Sequence, residues 1–490
     1  MARDYNAAVA ALNTLQSNFS IVDAIRKSGR GMNKNAIPEM IEWCRKIGYE
    51  PSDFDSLNAI HIAGTKGKGS TSSFVSSILS QCVKPSGQAQ GGIRKVGLYT
   101  SPHLRFVRER IQINNQPLSE EAFAKYFYET WDRLEASAKA AGHPDPSSPE
   151  TKPVYFRFLT LMAFHCYLSE GVDTAVVDDA GETIESIAWH KAGIFKPGVP
   201  AFSAPQPESA IQVLRERAAE RKTELQVVSA HPALESIKLG LAADFQKTNA
   251  SLAVAIASAH LRQQGLSSIL SPTEADTSLP EELRKGLEQV RLGGRCEIRH
   301  DQAHNLTWHI DGGHTLESIE MAGRWFASLI QPSTSDSSSS PTAPRVLIFN
   351  QQTRDAASLA KRLHGTLATA LDDSRPFTHV IFCTNTTYAS TGFRPDLTSI
   401  NTNAADVEAL SVQHGLAKTW AEVDPEAKVD VVRTVEEAVA LSRHIAGDSE
   451  VEAKKGGEEV KVLVTGSLHL VGGVVEVLES EAESAGKTNA

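Results

Sequence analysis

The feature that most constrains this fold is a regular alternation of short apolar runs with helical segments in the second half of the chain. Helix-forming sequences separate the runs that are rich in Val, Ile and Leu, namely LTWHID, RVLIFN, HVIFCT, VDVVRT and KVLVTG. Strands that are separated by helices usually pair in parallel, and helices then cover both faces of the sheet. The second half therefore predicts a five-stranded, Rossmann-like α/β unit.

The first half also mixes strands and helices. NAIHIAG, KVGLYT and the run Asp173–Val177 are short and apolar, whereas STSSFVSSILSQC and FRFLTLMAFHCYLSE carry apolar residues at helical spacing. We predict two α/β domains, residues 1–293 and 294–490, with the boundary at the LGGRCEI segment. A Ser- and Pro-rich stretch at residues 331–344 predicts a flexible insert in the second domain.

Composition argues against several classes of function. The 490 residues carry a formal net charge of -10, which disfavours a surface for nucleic acid or anionic membrane. The five cysteines lack Cys-x-x-Cys spacing, so we expect neither a disulfide framework nor a zinc site. No apolar run is long enough to suggest an integral membrane segment. We expect a cytoplasmic monomer, with an additional mitochondrial pool if translation also starts upstream.

The most informative local motif is HIAGTKGKGSTSSF, which reads as a strand, a glycine-rich loop and a helix start. Glycines let backbone N–H groups turn towards phosphate oxygens, and the helix N-terminus adds further donors. Lys68 can reach the outer phosphates, and Ser70 supplies a hydroxyl for Mg²⁺. The strict G-x-x-x-x-G-K-[ST] pattern is not met, because Ile62 replaces its first glycine and Gly69 follows the lysine. A ligand-free turn is the alternative, but the order of the parts favours nucleotide binding.

Longer motifs connect this loop with a known family. GTKGKGS resembles the phosphate loop of the Mur ligase superfamily, and GLYTSPHLRFVRERIQIN is similar to folylpolyglutamate synthases. Further blocks resemble that family in the same order: TIESIAWHKAGIFKPGVPAF, DFQKTNASLA, GGRCEI, DGGHTLESIEMAGRWF, VLIFNQQTRDA and VLVTGSLHLVGG. Lys66 and AWHKAGIFKPG are similar to fungal members. The resemblance implies an N-terminal P-loop ATPase domain of Mur-ligase type and a C-terminal Rossmann-like glutamate-ligase domain.

The resemblance also implies an ATP-dependent ligase. ATP would phosphorylate the terminal γ-carboxylate of a reduced folate, and the amino group of L-glutamate would attack the resulting acyl phosphate. ATP and Mg²⁺ are the implied cofactors, with a monovalent cation such as K⁺ as a further expectation, and reduced folates and L-glutamate are the implied substrates. Two alternatives are kept: a relative that binds ATP or folate with impaired catalysis, and a dihydrofolate synthase.

The site residues of the family carry over onto the matching motifs. The implied ATP-binding residues lie in the phosphate loop, in DFQKTNASLA, in GGRCEI and in the DGGH turn: Gly64, Thr65, Gly67, Lys68, Gly69, Ser70, Gln246, Asn249, Arg295, Asp311 and His314. The implied folate-binding residues follow the second strand: Ser101, Pro102, His103 and Arg108. Lys68 and Lys191 are the implied catalytic residues, and a carbamylated Lys191 would join Ser70 in holding the metal. Gly313 replaces the alanine that is usual in the family's D-G-A-H turn.

Each of these assignments has a plain structural alternative. The Ser-Pro-His segment could be an ordinary turn, and Arg108 could belong to a solvated charge cluster. Lys191 could be an exposed helix lysine, and the Q-x-x-N pair could form a polar helix face. Arg295 could make a surface salt bridge. Spacing alone does not separate these roles.

One segment departs from the family pattern. In the family, the strand that matches Asp173–Val177 ends in E-V-G-x-G-G, and a long segment with a metal-binding His separates it from the helix that carries Lys191. Here TAVVD runs directly into DAGETIESIAWHK, an apparent internal deletion near residues 178–181. Asp178 stands where the family glutamate would stand, and it is a candidate metal ligand with a shorter side chain. The deletion would remove a strand from the middle of a parallel sheet.

Two explanations are compatible with this gap. Either the sequence derives from a transcript that skips an exon, or the chain is a natural variant with an altered metal site. The uninterrupted family motifs on both sides of the gap favour the first explanation.

Overall fold

The computed structural model describes residues 3–16, 36–83, 92–179, 184–270, 278–331, 344–352, 354–389, 396, 407–452 and 459–488. The chain divides into two compact units. Unit 1 comprises Met1–His103 and Val107–Leu292, and unit 2 comprises Leu104–Phe106 and Gly293–Ala490. Most of the predicted flexible insert at residues 331–344 lies outside the described residues. In the part of the chain that is described, no helix is long and apolar enough to span a membrane.

Unit 1 is built around a mixed sheet. Its described helices are α1 (Tyr5–Asn13), α2 (Ala36–Lys46), α3 (Lys68–Gln81), α4 (Glu120–Ala140), α5 (Tyr155–Glu170), α6 (Ile184–Lys191), α7 (Glu208–Glu220), α8 (Gln246–Gln263) and α9 (Glu281–Gln289). Its described strands are β1 (Ile60–Ala63), β2 (Val96–Tyr99), β3 (Ile111–Ile113), β4 (Gln116–Pro117), β5 (Thr174–Asp179), β6 (Ala201–Ser203) and β7 (Leu225–Val227). The main sheet has the order β1-β5-β2-β3-β4, with β1, β5 and β2 parallel and the β3–β4 hairpin antiparallel.

Both faces of the central strands of unit 1 are buried. Consecutive strand residues point to opposite faces of a sheet. Ala175 and Tyr99 pack against one hydrophobic cluster, which includes residues of α1, α4 and α5, whereas Val176 and Leu98 pack with residues of α3, α8 and α9. This two-sided burial explains why β5 is a continuous apolar run rather than an alternating one.

Helix boundaries in unit 1 follow from their end residues. The Ser119 hydroxyl accepts a hydrogen bond from the Ala122 N–H at 3.1 Å, which caps the first turn of α4. Gly171 ends α5 with a left-handed φ of 67°, a conformation that costs glycine little. The chain then reverses and enters β5 at Thr174, so the carboxyl end of β5 lies beside that of β1.

Unit 1 also contains a second, smaller sheet. β6 and β7 pair with each other in parallel and pack with residues of α6 and α7. In the main sheet, β1 is an edge strand whose described pairing is with β5. The helix that carries Lys191 is described from Ile184 to Lys191, and residues 180–183 lie outside the described residues. Loss of an intervening strand would produce such a separation of two sheets, but the loss itself stays a prediction.

Unit 2 is a doubly wound α/β unit. Its described helices are α10 (Leu316–Ile330), α11 (Ala356–Leu371), α12 (Ser411–Val423), α13 (Val435–Glu452) and α14 (Leu468–Thr488). Its strands are β8 (Glu297–Asp301), β9 (Leu306–Ile310), β10 (Arg345–Phe349), β11 (His379–Phe382), β12 (Lys428–Val431) and β13 (Val460–Thr465). The sheet order is β12-β11-β10-β13-β9-β8. The five predicted parallel strands are present, and β8 adds a sixth that is antiparallel to β9.

Strand order in unit 2 determines where a ligand would bind. β10 and β13 are neighbours in the sheet. After β10 the chain continues to β11 on one side, and β13 pairs with β9 on the opposite side. Such a change of direction opens a crevice beyond the carboxyl ends of the strands. The residues that follow β10 and β13 therefore line the expected ligand-binding edge of unit 2.

Candidate active site

The phosphate loop of unit 1 depends on glycine at position 67. Gly67 is the residue before α3, and its φ of 76° lies in the left-handed region. A Cβ at this position would lie 2.5 Å from the Asn249 side-chain oxygen, so both backbone and space exclude a larger residue. Lys68, Gly69 and Ser70 form the first turn of α3, where backbone N–H groups lack intrahelical acceptors. This helix start can bind a phosphate group.

Two amide side chains of α8 hold the phosphate loop. Gln246 is buried and donates through Nε2 to the Ser70 hydroxyl at 3.3 Å, and Asn249 Nδ2 donates to Gln246 Oε1 at 2.9 Å. The Thr71 hydroxyl lies 3.5 Å from Asn249 Oδ1. The spacing of three places both amides on one face of the helix. The structure therefore brings the predicted Q-x-x-N residues to the predicted phosphate loop.

Asp178 lies at the same edge of the sheet. Its side chain is buried, with 2% of the residue exposed, and Oδ1 accepts a hydrogen bond from the Ser101 N–H at 3.2 Å. Its other oxygen, Oδ2, lies 4.0 Å from the position that a Cβ on Gly69 would occupy. The carboxylate and the Ser70 hydroxyl thus flank Gly69 as two oxygen donors. Oxygen donors of this kind fit Mg²⁺, which prefers hard ligands.

Lys191 is the last residue of α6 and is partly exposed. Among the described residues, no group of three or more His, Cys, Asp and Glu side chains could hold a metal ion. The carbamylation of Lys191 and its metal role stay predictions.

The predicted folate loop follows β2. The Ser101–Pro102 peptide bond is cis. His103 Nδ1 accepts a hydrogen bond from Arg110 Nε at 2.9 Å, so His103 carries its hydrogen on Nε2 when it is neutral. Arg108 donates to the Leu118 carbonyl oxygen at 3.0 Å. Arg110, which the sequence analysis did not select as a binding residue, therefore contacts the Ser-Pro-His segment.

In unit 2, the carboxylate of Asp311 links the two segments that carry predicted ATP-binding residues. The two oxygens of this buried carboxylate accept backbone hydrogen bonds from Cys296 at 3.0 Å and from Gly313 at 2.9 Å. Burial raises the pKa of Asp311, and the positive charge of Arg295 opposes that shift. A Cβ on Gly312 would lie 3.0 Å from Arg295 Nη1, so the guanidinium rests against this glycine. The structure thus brings the predicted Arg295 and the DGGH turn together within unit 2.

His314 has a defined tautomer. Its Nδ1 lies 2.8 Å from the Gly312 carbonyl oxygen and must carry the hydrogen that it donates there. Burial lowers the pKa of His314, and the positive charges of Arg354 and Arg295 lower it further. The ring is therefore neutral near pH 7, with Nε2 as its acceptor nitrogen. Such a nitrogen can accept a hydrogen bond from an amino or hydroxyl group of a ligand.

Sequence reasoning missed a buried amide cluster at the carboxyl ends of β10 and β13. Gln413 Nε2 donates to Asn350 Oδ1 at 2.8 Å, Asn350 Nδ2 donates to Asn385 Oδ1 at 2.9 Å, and Gln351 Nε2 donates to the Gly466 carbonyl at 2.8 Å. Asn350 and Gln413 are fully buried. The available sequence signal was the pair Asn350–Gln351 directly after the apolar strand VLIF, because polar residues at that point face the ligand-binding edge.

Full-length relatives are found among characterised fungal proteins, although no family model matches the chain. A folylpolyglutamate synthase of Neurospora crassa is 42% identical over 512 positions, which cover 98% of this chain and 92% of the relative. A folylpolyglutamate synthase of Saccharomyces cerevisiae is 41% identical and covers 97% of this chain and 87% of the relative. Because the Neurospora alignment has 512 positions and this chain has 490 residues, at least 22 positions have no residue here.

Solved structures share the fold at low sequence identity. Mycobacterium tuberculosis folylpolyglutamate synthase complexed with ADP has a TM-score of 0.65 at 19% identity and covers 96% of this chain and 98% of its own. The Thermotoga maritima folylpolyglutamate synthase has a TM-score of 0.60 at 22% identity and covers 89% and 93%. The predicted fold class is confirmed by these structures, and the predicted ligase family is confirmed by the fungal relatives. The chain belongs to the folylpolyglutamate synthase family.

Proposed function

We propose that this chain uses ATP to add L-glutamate to the γ-carboxylate of a reduced folate or folylpolyglutamate. The γ-phosphoryl group of ATP is transferred to that carboxylate, and ADP leaves. The amino group of L-glutamate then attacks the acyl carbon and loses a proton, and phosphate leaves as the amide forms. The observation that carries this proposal is the phosphate loop, whose Ser70 hydroxyl is held by Gln246 and whose Gly69 lies next to the buried carboxylate of Asp178.

Unit 1 provides the phosphate site in this proposal. Backbone N–H groups at Gly67, Lys68 and Gly69 donate to the phosphate oxygens, and the Lys68 ammonium neutralises the charge that develops on the transferred group. Ser70 and Asp178 would hold Mg²⁺, with a carbamylated Lys191 as a further ligand. When bound, Mg²⁺ supplies Lewis-acid stabilisation of the phosphate oxygens. A monovalent cation such as K⁺ remains part of the proposed cofactor set.

Unit 2 provides nucleotide and amino-acid contacts. Arg295 donates to phosphate oxygens, and the neutral His314 accepts a hydrogen bond from the ribose or adenine through Nε2. We assign L-glutamate to the edge beyond β10 and β13, where the amides of Asn350 and Gln413 are buried. These two amides are bonded to each other and buried, so they would shape this edge rather than contact the amino acid.

The folate is assigned to the loop after β2. Ser101, Pro102 and His103 lie next to Asp178 through the Ser101 N–H, and Arg110 contacts His103. An arginine next to this loop is suited to a substrate that carries carboxylates. The γ-carboxylate would thus lie close to the phosphate loop, as direct phosphoryl transfer requires.

A second candidate function is nucleotide and folate binding with slow turnover. It is favoured by the short connection between Asp179 and Ile184 and by the separation of β6 and β7 from the main sheet. A missing metal ligand would weaken the phosphoryl-transfer step more than ATP binding, because charge moves onto the leaving ADP oxygens in the transition state and is stabilised there more strongly than in the ground state.

The test compares two chains. Glutamate-dependent ADP release with tetrahydrofolate is measured for this chain and for a version in which the corresponding Neurospora crassa segment replaces residues 180–183. We expect turnover by both, with a rate roughly tenfold higher in the extended chain because it regains a charge-stabilising ligand. ATP binding without turnover by this chain, with turnover restored in the extended chain, would establish the second candidate. Absence of turnover from both well-folded chains would overturn the proposed reaction, and a strict requirement for dihydropteroate would identify a dihydrofolate synthase.

A further inference from the structure

The tip of the predicted folate loop belongs to unit 2. The chain leaves unit 1 after His103, contributes Leu104–Phe106 to unit 2 and re-enters unit 1 at Val107. This short excursion lies within the TSPHLRFVRERIQIN motif, between the Ser-Pro-His segment and the VRER turn. Leu104–Phe106 therefore make their contacts with other residues of unit 2.

Leu104 fits against three glycines of unit 2. A Cβ on Gly293 would lie 2.7 Å from Leu104 Cδ2, and a Cβ on Gly294 would lie 3.0 Å from Leu104 Cδ1. A Cβ on Gly472 would overlap the Leu104 carbonyl oxygen. Residues larger than glycine at these positions would push the loop away. The surface of unit 2 is therefore shaped around this backbone.

Arg105 is bound by two glutamates of α14. Its Nε donates to Glu476 Oε2 at 2.8 Å, its Nη2 contacts the same oxygen, and its Nη1 contacts Glu479. The Arg105 side chain is 14% exposed and that of Glu476 is 2% exposed. An ion pair at this depth is weakly screened. Removal of Arg105 would leave the buried Glu476 without this counter-charge, whereas removal of Glu476 would leave Arg105 paired with Glu479 alone.

The two glutamates that bind Arg105 also contact other residues of unit 2. Glu479 also accepts from Arg299 Nη2 at 3.0 Å, which links α14 to β8. The Ser480 hydroxyl donates to the other oxygen of Glu476 at 3.2 Å. Both glutamates are thus fixed by neighbours besides Arg105, so their positions do not depend on the loop.

The loop is also bound at its start. Ser101 donates to Asp178 in unit 1, and His103 accepts from Arg110. Four residue steps separate Ser101 from Arg105, and they span at most roughly 14 Å when extended. Release of Arg105 would therefore remove one anchor of the segment that holds the predicted folate-binding residues. The phosphate loop has its own supports in Gln246 and Asn249 and would keep them.

We propose that Arg105 is a positioning residue for the folate substrate, because its ion pair with Glu476 holds the loop that carries Ser101, Pro102 and His103. This inference rests on the proposed function for the identity of the substrate. Arg105 touches neither ATP nor the reacting atoms in this assignment. Its loss acts through the loop, which separates its effect from that of a phosphate-binding residue.

The test uses R105M, E476Q and the double variant R105M/E476Q. We expect R105M to raise the KM for tetrahydrofolate roughly tenfold or more, since a displaced binding group weakens productive binding. The KM for ATP should change by less than about twofold, because the ATP site keeps its own contacts. E476Q should also raise the folate KM. The effect of the double variant on the folate KM should be smaller than the sum of the two single effects, as expected for coupled residues.

R443M is the matched control. Arg443 Nε donates to Asp301 at 3.0 Å, and the two side chains are 18% and 13% exposed, so the variant removes an ion pair of similar depth in unit 2. Neither partner belongs to the loop. An equal rise of the folate KM in R105M and R443M would overturn the proposal, because the effect would then reflect general loss of stability.

Hydrogen–deuterium exchange of the peptide that covers residues 99–108 gives a readout independent of catalysis. We expect faster exchange in R105M than in wild type and R443M, together with weaker equilibrium binding of tetrahydrofolate. Unchanged exchange in R105M would overturn the inference even if the enzyme turns over. If wild type has no ligase activity, the exchange and folate-binding measurements still decide the role of Arg105, so the two proposals fail separately.

Discussion

Unit 2 has one six-stranded sheet, whereas unit 1 divides its strands between a five-stranded sheet and the separate pair β6 and β7. The site loops differ in the same way. The DGGH turn of unit 2 is fixed by the carboxylate of its own Asp311, which binds backbone at Gly313 and Cys296. The phosphate loop of unit 1 is fixed by Gln246 and Asn249, far away in sequence. The site in unit 1 thus depends more on the packing of distant elements.

The largest expected effect is at Lys68. We expect Lys68→Met to lower kcat roughly a hundredfold to a thousandfold, because one charge that stabilises the transferred phosphoryl group is lost. Thermal unfolding should change little. Lys66→Met is the matched control, since Lys66 is an exposed lysine two residues earlier in the same loop. Similar kcat values for the two variants in the ADP-release assay would contradict the assignment of the phosphate-binding site to this loop of unit 1.

A smaller effect is expected from the support of the phosphate loop. Gly67→Ala should destabilise unit 1 by about 2 to 3 kcal/mol, because alanine adds backbone strain at φ 76° and contacts Asn249. Gly142→Ala is the control, because Gly142 has a φ of 75° but a Cβ there would meet no atom within 4 Å. Gly142→Ala should lower the free energy of unfolding only by the cost of the backbone strain, about 1 kcal/mol. Equal losses in urea unfolding would show that Asn249 does not restrict this loop.

In each unit, a buried histidine with a strongly lowered pKa should make the fold sensitive to acid. Burial lowers the pKa of His260 in unit 1 and of His309 in unit 2 from the ordinary value of 6.5 to about 4. Between these values the unfolded chain binds more protons than the folded chain, so stability rises with pH and is lost on acidification. From pH 7 to pH 5 each histidine should cost about 2 kcal/mol.

Urea unfolding at pH 7 and pH 5 tests this expectation. His260→Gln and His309→Gln should each reduce the loss of stability between the two pH values, whatever their effect at pH 7. If the two units are equally sensitive, the reductions will be similar. A variant that keeps the full wild-type difference would show that its histidine titrates normally.

The smallest effect is expected at Gly313. A Cβ there would lie 3.0 Å from the Ser318 carbonyl oxygen and 3.2 Å from Asp311 Oδ1, so a small shift of the turn would accommodate it. Gly313→Ala should cost less than about 1 kcal/mol. A loss of several kcal/mol in thermal unfolding would contradict this, and would show that the turn of unit 2 is as rigid as the phosphate loop of unit 1.

Local patterns were sufficient to predict much of the fold. The five parallel strands of unit 2 lie in short apolar runs with helices between them, and the strand, loop and helix around Gly67 follow from their order. The antiparallel strands could not be predicted. β8, with the sequence EIRHD, is rich in charge, and the β3–β4 hairpin is very short, so pairing with neighbours rather than local preference determines them.

The contacts of the site were harder to predict than its residues. The motifs selected Ser70, Gln246 and Asn249, but only the folded chain shows that Gln246 holds the Ser70 hydroxyl across 176 positions. Arg105 lies inside the TSPHLRFVRERIQIN motif, but the sequence alone does not indicate its role, because its partner Glu476 is 371 positions away. Hydrogen-bond partners at such separations are set by the packing of whole helices and strands.

The fit of Leu104 against Gly293, Gly294 and Gly472 has an evolutionary consequence. Four positions from three distant parts of the chain share one small volume, so substitutions among them are not independent. A descendant that gained a side chain at position 472 would need a compensating change at position 104 to keep its loop in place. We expect natural diversity at these four positions to be low, and any departure from glycine to be accompanied by a change of the loop.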